Sequence, residues 1–267
     1  MNLEIALIGF GEAASTFAQS AQWDCRAYDI LAERRQAMAD AGVRGCDSAD
    51  EALRDADLVL SLVTADSALY AAHDYAPFLK AGAVWCDMNS VAPETKRKAA
   101  LAVEAAGARY VDVAVLSPVN PAHLGVPLLV SGARAAGACE MLGAAGFTNV
   151  RAVGDEIGRA SSIKMIRSVM VKGIEALTDE MMAAANAAGV ADEVLASLDK
   201  SEKVAGWAEK AAYNLERMTT HGSRRAAEME EVAKTLSALG VEPLLTKATV
   251  VRQRDAAFRK TDNRNAA

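Results

Sequence analysis

A glycine-rich turn lies close to the start of the chain, after an apolar run that ends at Ile8. In the stretch Gly9-Phe10-Gly11-Glu12-Ala13-Ala14, the first glycine permits a tight strand-to-helix turn and the second lets the backbone approach a pyrophosphate. The amides that begin the helix would face the phosphates. The alternative is an ordinary glycine turn in an α/β protein. We predict a dinucleotide site with these contacts: Gly9, Phe10, Gly11, Glu12 and Ala13.

An acidic residue follows at the spacing that a ribose requires. Asp29 ends the next apolar run, 18 residues after Gly11, and about 20 are expected for a carboxylate that accepts the ribose hydroxyls of NAD. Arg34 and Arg35 come shortly after it, and either could pair with a 2′-phosphate. The pattern favours NAD as the cofactor and leaves NADP possible.

Polar residues also follow two later apolar runs. Val63 and Thr64 come at the end of one run, and Asn89 and Ser90 follow another. Ligands of α/β sheets bind at the carboxyl ends of the strands, so we expect the first pair to line the cofactor and the second pair to contact substrate. Thr64 and Ser90 could instead cap helices.

Lys164 is the candidate for acid–base chemistry. A lysine that is partly desolvated beside a cofactor could exchange a proton with a substrate hydroxyl. Arg167 and Ser168 follow at helical spacings of three and four residues, and Arg167 could hold a carboxylate through two hydrogen bonds. The alternatives are a solvated lysine on a helix surface and an ion pair for Arg167.

Two patterns divide the chain. Up to about residue 150, short apolar runs alternate with alanine-rich amphipathic stretches, which predicts an α/β fold with a doubly wound parallel sheet, the Rossmann type. After Gly154 the pattern is helical, beginning with one long helix over Arg159–Ala188. We therefore predict a dinucleotide-binding domain over 1–157 and an all-α domain over 158–267.

The apolar residues of the long helix recur at helical spacing, which predicts a buried stripe along it. This stripe consists of Ile163, Ile166, Met170, Ile174, Leu177 and Met181.

Further helices are expected over Trp207–Thr219, Ser223–Leu239 and Leu244–Phe258.

Composition narrows the class of ligand. The net charge of −6 argues against nucleic acid and anionic membranes as partners. The four cysteines lack metal-binding spacing, so no metal is expected.

The start of the chain lacks the basic region of a secretory signal, and no apolar run is long enough to span a bilayer. We expect a cytoplasmic protein with a small-molecule substrate.

The glycine-rich turn, the segment from Asp87 to Ser90, the segment 112–119 and the segment from Gly158 to Ser168 occur in an order that resembles the β-hydroxyacid dehydrogenases, which include 3-hydroxyisobutyrate and 6-phosphogluconate dehydrogenases. The resemblance implies that Lys164 is the catalytic lysine and that Ser117 and Pro118 belong to the substrate segment. It also implies a homodimer or homotetramer built through the helical domain. The last part of the chain resembles a poorly characterised helical domain attached to some members.

Several positions depart from the family pattern around the substrate. Ser168 replaces a common asparagine, Arg167 replaces an asparagine or histidine, and the segment 112–118 lacks two glycines. The reaction class therefore transfers better than the substrate. The resemblance implies an NAD(P)-dependent dehydrogenase of a small 3-hydroxy acid or related alcohol, with Lys164 as general acid and base. We expect the substrate to carry a carboxylate. The alternatives are an imine reductase of the same architecture and a dinucleotide-binding sensor without catalysis.

Overall fold

The computed structural model describes residues 3–201, 206–238 and 243–265. The chain divides into two compact units, Met1–Met165 and Ile166–Ala267. The division falls inside the long helix predicted over Arg159–Ala188, which the structure shows with those bounds. The domain boundary expected after residue 157 stays a prediction.

The first unit is built on one eight-stranded sheet with the order β3-β2-β1-β4-β5-β6-β7-β8. All neighbouring strands are parallel except β6 and β7, which are antiparallel. The strands are β1 (Ile5–Ile8), β2 (Cys25–Tyr28), β3 (Arg44–Gly45), β4 (Leu58–Ser61), β5 (Val84–Asp87), β6 (Arg109–Val115), β7 (Leu128–Ser131) and β8 (Val150–Gly154).

Helices cover both faces of this sheet. In β1, Leu7 belongs to one apolar core and Ile8 belongs to the other, because successive side chains of a strand point to opposite faces. Burial on both faces explains why the central strands β1 and β4 consist almost entirely of apolar residues. The helices of this unit are α1 (Glu12–Ala21), α2 (Arg34–Asp40), α3 (Ala49–Leu53), α4 (Ala68–Tyr75), α5 (Pro93–Ala105) and α6 (Ala135–Ala144).

The doubly wound α/β fold is confirmed, with four differences in detail. The short strand β3, the helix α3 and the strand β8 were not predicted, because each is too short or too exposed to show a clear apolar pattern. The expected all-parallel sheet is wrong at β7. A loop of twelve residues, 116–127, turns the chain back beside β6 without a crossover helix.

The described residues after Gly158 are almost entirely helical, as predicted. It contains α7 (Arg159–Ala188), α8 (Ala191–Ser201), α9 (Trp207–Ala238) and α10 (Leu244–Asn265). The two helices expected over Trp207–Thr219 and Ser223–Leu239 are one continuous helix, because Gly222 interrupts the pattern without breaking the helix. No helix among the described residues is long and apolar enough to cross a membrane.

The buried stripe expected along α7 is wrong in its first half. Ile163, Ile166 and Met170 are 38%, 50% and 66% exposed. Leu177 and Met181 lie outside the residues whose side chains the structure describes. The buried positions of α7 include Ser161, Met165, Ser168, Lys172 and Glu175.

Ion pairs within the helical unit explain the burial of the polar face. Lys172 lies 2.8 Å from a carboxylate oxygen of Glu228, and Glu175 accepts hydrogen bonds from Arg225 and, at 3.1 Å, from Gln253. A buried charge is tolerated when it is paired and hydrogen-bonded. Apolar periodicity predicted a helix here, but it did not identify the inward face. The homodimer or homotetramer stays a prediction.

Gly222 of α9 and Gly173 of α7 give a matched pair for testing the packing of the helical unit. A Cβ atom at Gly222 would lie 2.2 Å from the backbone oxygen of Gln253 in α10, whereas no described atom lies within 4 Å of a Cβ atom at Gly173. Gly222→Ala should lower the free energy of unfolding by about 1–3 kcal/mol through overpacking. Gly173→Ala should raise it by about 0.5–1 kcal/mol, because alanine favours a helix interior.

Urea denaturation of the two variants and the natural chain measures these free energies. Equal effects of the two substitutions would contradict the close approach of α9 and α10 at Gly222.

Candidate active site

The parallel register brings the carboxyl ends of four strands level with one another. Ile8 pairs with Ser61, Ser61 pairs with Asp87, and Asp87 pairs with Asp112. The residues that follow these positions therefore meet at one edge of the sheet. This edge carries the glycine-rich turn, Thr64, Ser90 and the segment after β6.

The glycine-rich turn has the shape that a pyrophosphate needs. Gly9 has a φ of +86°, and a Cβ atom there would lie 2.6 Å from the backbone oxygen of Leu62. At Gly11, the residue before α1, no described atom lies within 4 Å of such a Cβ atom. Gly11 also offers no side chain to the amides of Glu12 and Ala13, so these remain directed at a ligand.

The small residue at position 14 lets α1 pack closely on the sheet. Ala14 is fully buried between α1 and the sheet. Phe10 is likewise buried, so it contributes its backbone, and not its ring, to the exposed side of the turn.

Asp29 lies directly beside this turn. Its carboxylate accepts hydrogen bonds from the backbone N–H of Phe10 at 2.7 Å and of Leu31 at 2.9 Å. Two bonds leave lone pairs of the carboxylate available for a ribose diol. Arg35 forms an ion pair with Asp47 at 2.6 Å, while Arg34 is exposed at the first position of α2.

Val63 and Thr64 follow β4 at the same edge. The Val63 amide donates to Asn89 Oδ1 at 2.7 Å. Thr64 Oγ1 lies 2.5 Å from Asp66 Oδ1 and 3.1 Å from Ser67 Oγ, within the turn before α4. The hydroxyl of Thr64 thus shapes that turn, and the first amides of α4 receive no side-chain cap from Ser67.

Asn89 has an internal role that the sequence did not reveal. Its side chain is buried, and its amide nitrogen donates to Ser61 Oγ at 3.0 Å and to Asp87 Oδ1 at 2.8 Å. Together with the bond to Val63, this uses both amide hydrogens and the carbonyl oxygen. The carbonyl oxygen keeps a second lone pair, so the contact of Asn89 with substrate, like that of Ser90, stays a prediction.

Lys164 and Ser90 contact each other at this edge. Lys164 is half-buried, and its Nζ donates a hydrogen bond to Ser90 Oγ. Ser90 does not cap α5, whose N-cap is Ala92 and lacks a side-chain capping bond. The two alternatives, a solvated Lys164 and a Ser90 that caps a helix, are therefore wrong. The structure joins two predicted site residues that are 74 positions apart.

The segment after β6 supplies the remaining predicted residues of this unit. Ser117 is half-buried, and its hydroxyl donates to the backbone oxygen of Pro118 at 3.1 Å. Pro118 is exposed. Their contact with substrate stays a prediction.

Arg167 and Ser168 belong to the helical unit. Arg167 is exposed, whereas Ser168 is buried and its hydroxyl accepts a hydrogen bond from Lys172 at 3.4 Å. They therefore occupy different faces of α7, although their spacing from Lys164 suggested a shared face. Their substrate roles stay predictions.

A buried charged cluster lies beneath this edge, and the sequence analysis missed it. Lys96 is fully buried, although a basic run such as Lys96-Arg97-Lys98 usually forms a solvated helix surface. Its Nζ donates to Asp87 Oδ1 at 2.9 Å and lies 3.5 Å from Asp112 Oδ1. A usable signal was present: Asp87 and Asp112 both fall in apolar strands, where a carboxylate needs a buried partner.

Tyr110 completes this cluster. Its hydroxyl donates to Asp87 Oδ2 at 2.6 Å. Burial, and then the negative charge of Asp87, raise the pKa of Tyr110 well above its usual value. The phenol therefore stays protonated and remains a donor to Asp87.

Comparison with known proteins identifies the first unit. Residues 4–146, more than half of the chain, match the model of the NAD binding domain of 6-phosphogluconate dehydrogenase. The chain belongs to this family. The family indicates a nicotinamide dinucleotide as the cofactor. Residues 185–256 match a second model, a domain of unknown function named DUF1932.

Several known proteins are similar to this chain over most of its length. A conserved hypothetical protein from Sinorhizobium meliloti is 38% identical, with a TM-score of 0.74 over 97% of this chain and 89% of that one. A 3-hydroxyisobutyrate dehydrogenase from Pseudomonas aeruginosa is 27% identical over 77% of this chain and 72% of its own length. An imine reductase from Streptomyces aurantiacus, 22% identical, shares the fold with a TM-score of 0.62 over 96% of this chain and 95% of that one.

The two glycines of the turn should respond differently to a methyl group. Gly9→Ala places Cβ against backbone atoms in a strained conformation, so it should lower both thermal stability and NADH binding. Gly11→Ala fits the folded chain, so stability should be unchanged while affinity for NADH falls about tenfold, equivalent to about 1.4 kcal/mol. Thermal denaturation and a fluorescence titration with NADH measure the two effects. Unchanged NADH affinity in Gly11→Ala would place the pyrophosphate elsewhere.

Proposed function

We propose that this protein is an NAD(P)-dependent dehydrogenase of a small 3-hydroxy acid or related alcohol, acting in either direction. The observation that carries the proposal is the hydrogen bond from Lys164 to Ser90 at the edge of a nicotinamide-dinucleotide-binding sheet. A lysine and a hydroxyl at this place supply a proton-exchanging group and a polar contact for an alcohol. The dehydrogenase among the relatives is in keeping with this reaction class.

The residues of the first unit fit the cofactor. The open turn at Gly11 and the amides of Glu12 and Ala13 would hold the pyrophosphate. Asp29 would accept the ribose hydroxyls, with Val63 and Thr64 lining the path along the edge. The bound nicotinamide supplies the chemistry of hydride transfer.

Lys164 is proposed to exchange the hydroxyl proton of the substrate. In the oxidising direction its neutral amine accepts this proton, and in the reducing direction its ammonium group returns one to the carbonyl oxygen. Ser90 orients the amine through the hydrogen bond already formed, and its hydroxyl is close enough to Nζ to contact the same substrate oxygen. Ser117 and Pro118 are proposed to border the substrate from the segment after β6.

A carboxylate on the substrate is proposed to bind Arg167, with Ser168 supporting that part of α7. A guanidinium group can donate two parallel hydrogen bonds, which suits a carboxylate better than a neutral alcohol, and Arg167 is exposed on α7. This assignment extends the family reaction to a small hydroxy acid.

Replacing Lys164 should separate chemistry from cofactor binding. Lys164→Met retains the length of the side chain and removes the titrating amine, so turnover should fall by about 100-fold or more. The affinity for NADH should stay the same. Lys98→Met, which removes an exposed lysine from α5, is the matched control and should leave turnover unchanged.

The assay uses a panel of 3-hydroxy acids with NAD and NADP, followed by cyclic imines with the reduced cofactors. Substantial turnover by Lys164→Met would contradict the role of the lysine. Reduction of imines without oxidation of any hydroxy acid would identify an imine reductase. Binding of NADH without turnover of either panel would indicate a sensor.

The cofactor preference should depend on the charge of Asp29. A 2′-phosphate would lie against its carboxylate, so the natural chain should bind NADH more tightly than NADPH. Asp29→Asn removes this repulsion and weakens the ribose contacts, so the affinity ratio should move toward one. Arg34→Ala is the matched variant, and fluorescence titration with both cofactors provides the measurement. A preference for NADPH that Arg34→Ala abolishes would reverse the assignment.

A further inference from the structure

We infer that Asp112 and Lys96 are positioning residues that hold the amine of Lys164 against Ser90. The inference rests on the proposed function, because the placement of this amine matters for catalysis only where Lys164 exchanges a proton. Neither residue is at the exposed edge, since both are fully buried beneath it. They would act through the segments that carry the two contacting side chains.

Asp112 fixes the start of α7. Its Oδ2 accepts hydrogen bonds from the backbone N–H of Gly158 at 3.1 Å and of Ser161 at 3.0 Å, and from the Ser161 hydroxyl at 3.0 Å. Ser131, its partner across β6 and β7, accepts from the backbone N–H of Ala160 at 2.9 Å. Strand side chains thus cap the first turn of α7, and Lys164 follows one turn later.

Lys96 fixes the turn that carries Ser90. Its Nζ donates to the backbone oxygen of Asp87 at 2.6 Å and to Asp87 Oδ1 at 2.9 Å. Asp87 ends β5, Lys96 lies in the first half of α5, and Ser90 is in the connection between them. The connection is therefore held at both ends by one buried ammonium group.

The same ammonium group joins the two anchored segments. Lys96 Nζ lies 3.5 Å from Asp112 Oδ1, the carboxylate whose other oxygen caps α7. The starts of α5 and α7 also touch, since a Cβ atom at Gly158 would lie 3.0 Å from Pro93 Cβ. A continuous set of polar contacts thus runs from Asp87, which precedes the turn with Ser90, through Lys96 and Asp112 to the start of the helix that presents Lys164.

The test measures the reactivity of the Lys164 amine without substrate or cofactor. The full chain is labelled with trace acetic anhydride, and peptide mass spectrometry gives the rate at Lys164 relative to the exposed Lys98. Asp112→Asn keeps the side-chain volume and removes the charge. Release of the amine from Ser90 should raise its labelling rate about fivefold, the population change expected when a helix cap is lost. Ser90→Ala should raise the rate directly.

The double variant distinguishes positioning from general loosening. If Asp112 acts through the contact between Lys164 and Ser90, then Asp112→Asn combined with Ser90→Ala should label no faster than Ser90→Ala alone. Asp57→Asn is the matched control, because Asp57 also pairs with a lysine, Lys80, but precedes β4 at the opposite edge of the sheet. It should leave the labelling of Lys164 unchanged.

Two results would overturn the inference. One is an unchanged labelling rate in Asp112→Asn together with faster hydrogen exchange at the start of α7, which would make Asp112 a helix cap alone. The other is an additive effect in the double variant. If Asp112→Asn fails to fold, Ser161→Ala decides: it removes one donor to Asp112 and should raise the labelling rate about twofold, and an unchanged rate refutes the inference.

These results are separable from the proposed function. Turnover retained by Lys164→Met would refute the proposed role of the lysine in catalysis, while the labelling experiment would still show whether Asp112 holds its amine.

Discussion

The arrangement of the first unit depends on burying two carboxylates and one ammonium group beneath the carboxyl edge of the sheet. Removing a charge from water costs several kcal/mol per ion, which is comparable to the free energy of unfolding of a whole domain. Such a cluster is therefore stable only when its hydrogen bonds are satisfied. Asp87, Lys96 and Asp112 meet most of this requirement with bonds to Tyr110, Asn89 and the start of α7. These bonds connect strands β5, β6 and β7 with helices α5 and α7. The local geometry of the edge follows from them.

The cofactor half of the edge obeys a different constraint, that of steric space. Gly9 is necessary because the backbone of the neighbouring strand leaves no room for a Cβ atom, and Gly11 leaves the space in front of α1 open. The carboxylate of Asp29 accepts a hydrogen bond from the Phe10 amide of the turn, so the carboxylate proposed to bind the ribose and the turn proposed to bind phosphate form one structure. Parallel register then places both level with Ser90, which contacts Lys164.

The helical unit shows how charge can override apolar periodicity. Buried Lys172 and Glu175 are paired with residues of α9 and α10, and the apolar side chains of Ile166 and Met170 remain exposed. The apolar spacing in α7 predicts that a helix forms. It does not predict which face is buried, because the residues of both faces recur at the same spacing. Which face turns inward depends on partners that lie about fifty residues later in the chain.

The sequence by itself determined the α/β fold, the glycine-rich turn with its acidic partner and the bounds of the long helix, because these depend on local periodicity and on the special backbone of glycine. It also suggested Lys164 and Ser90, but only as separate candidates. Tertiary structure decided that they contact each other, that Asn89 serves the protein interior and that Lys96 is buried. Each of these depends on hydrogen bonds between distant segments, and a buried charge cannot be distinguished from a solvated one until the segments around it are in place.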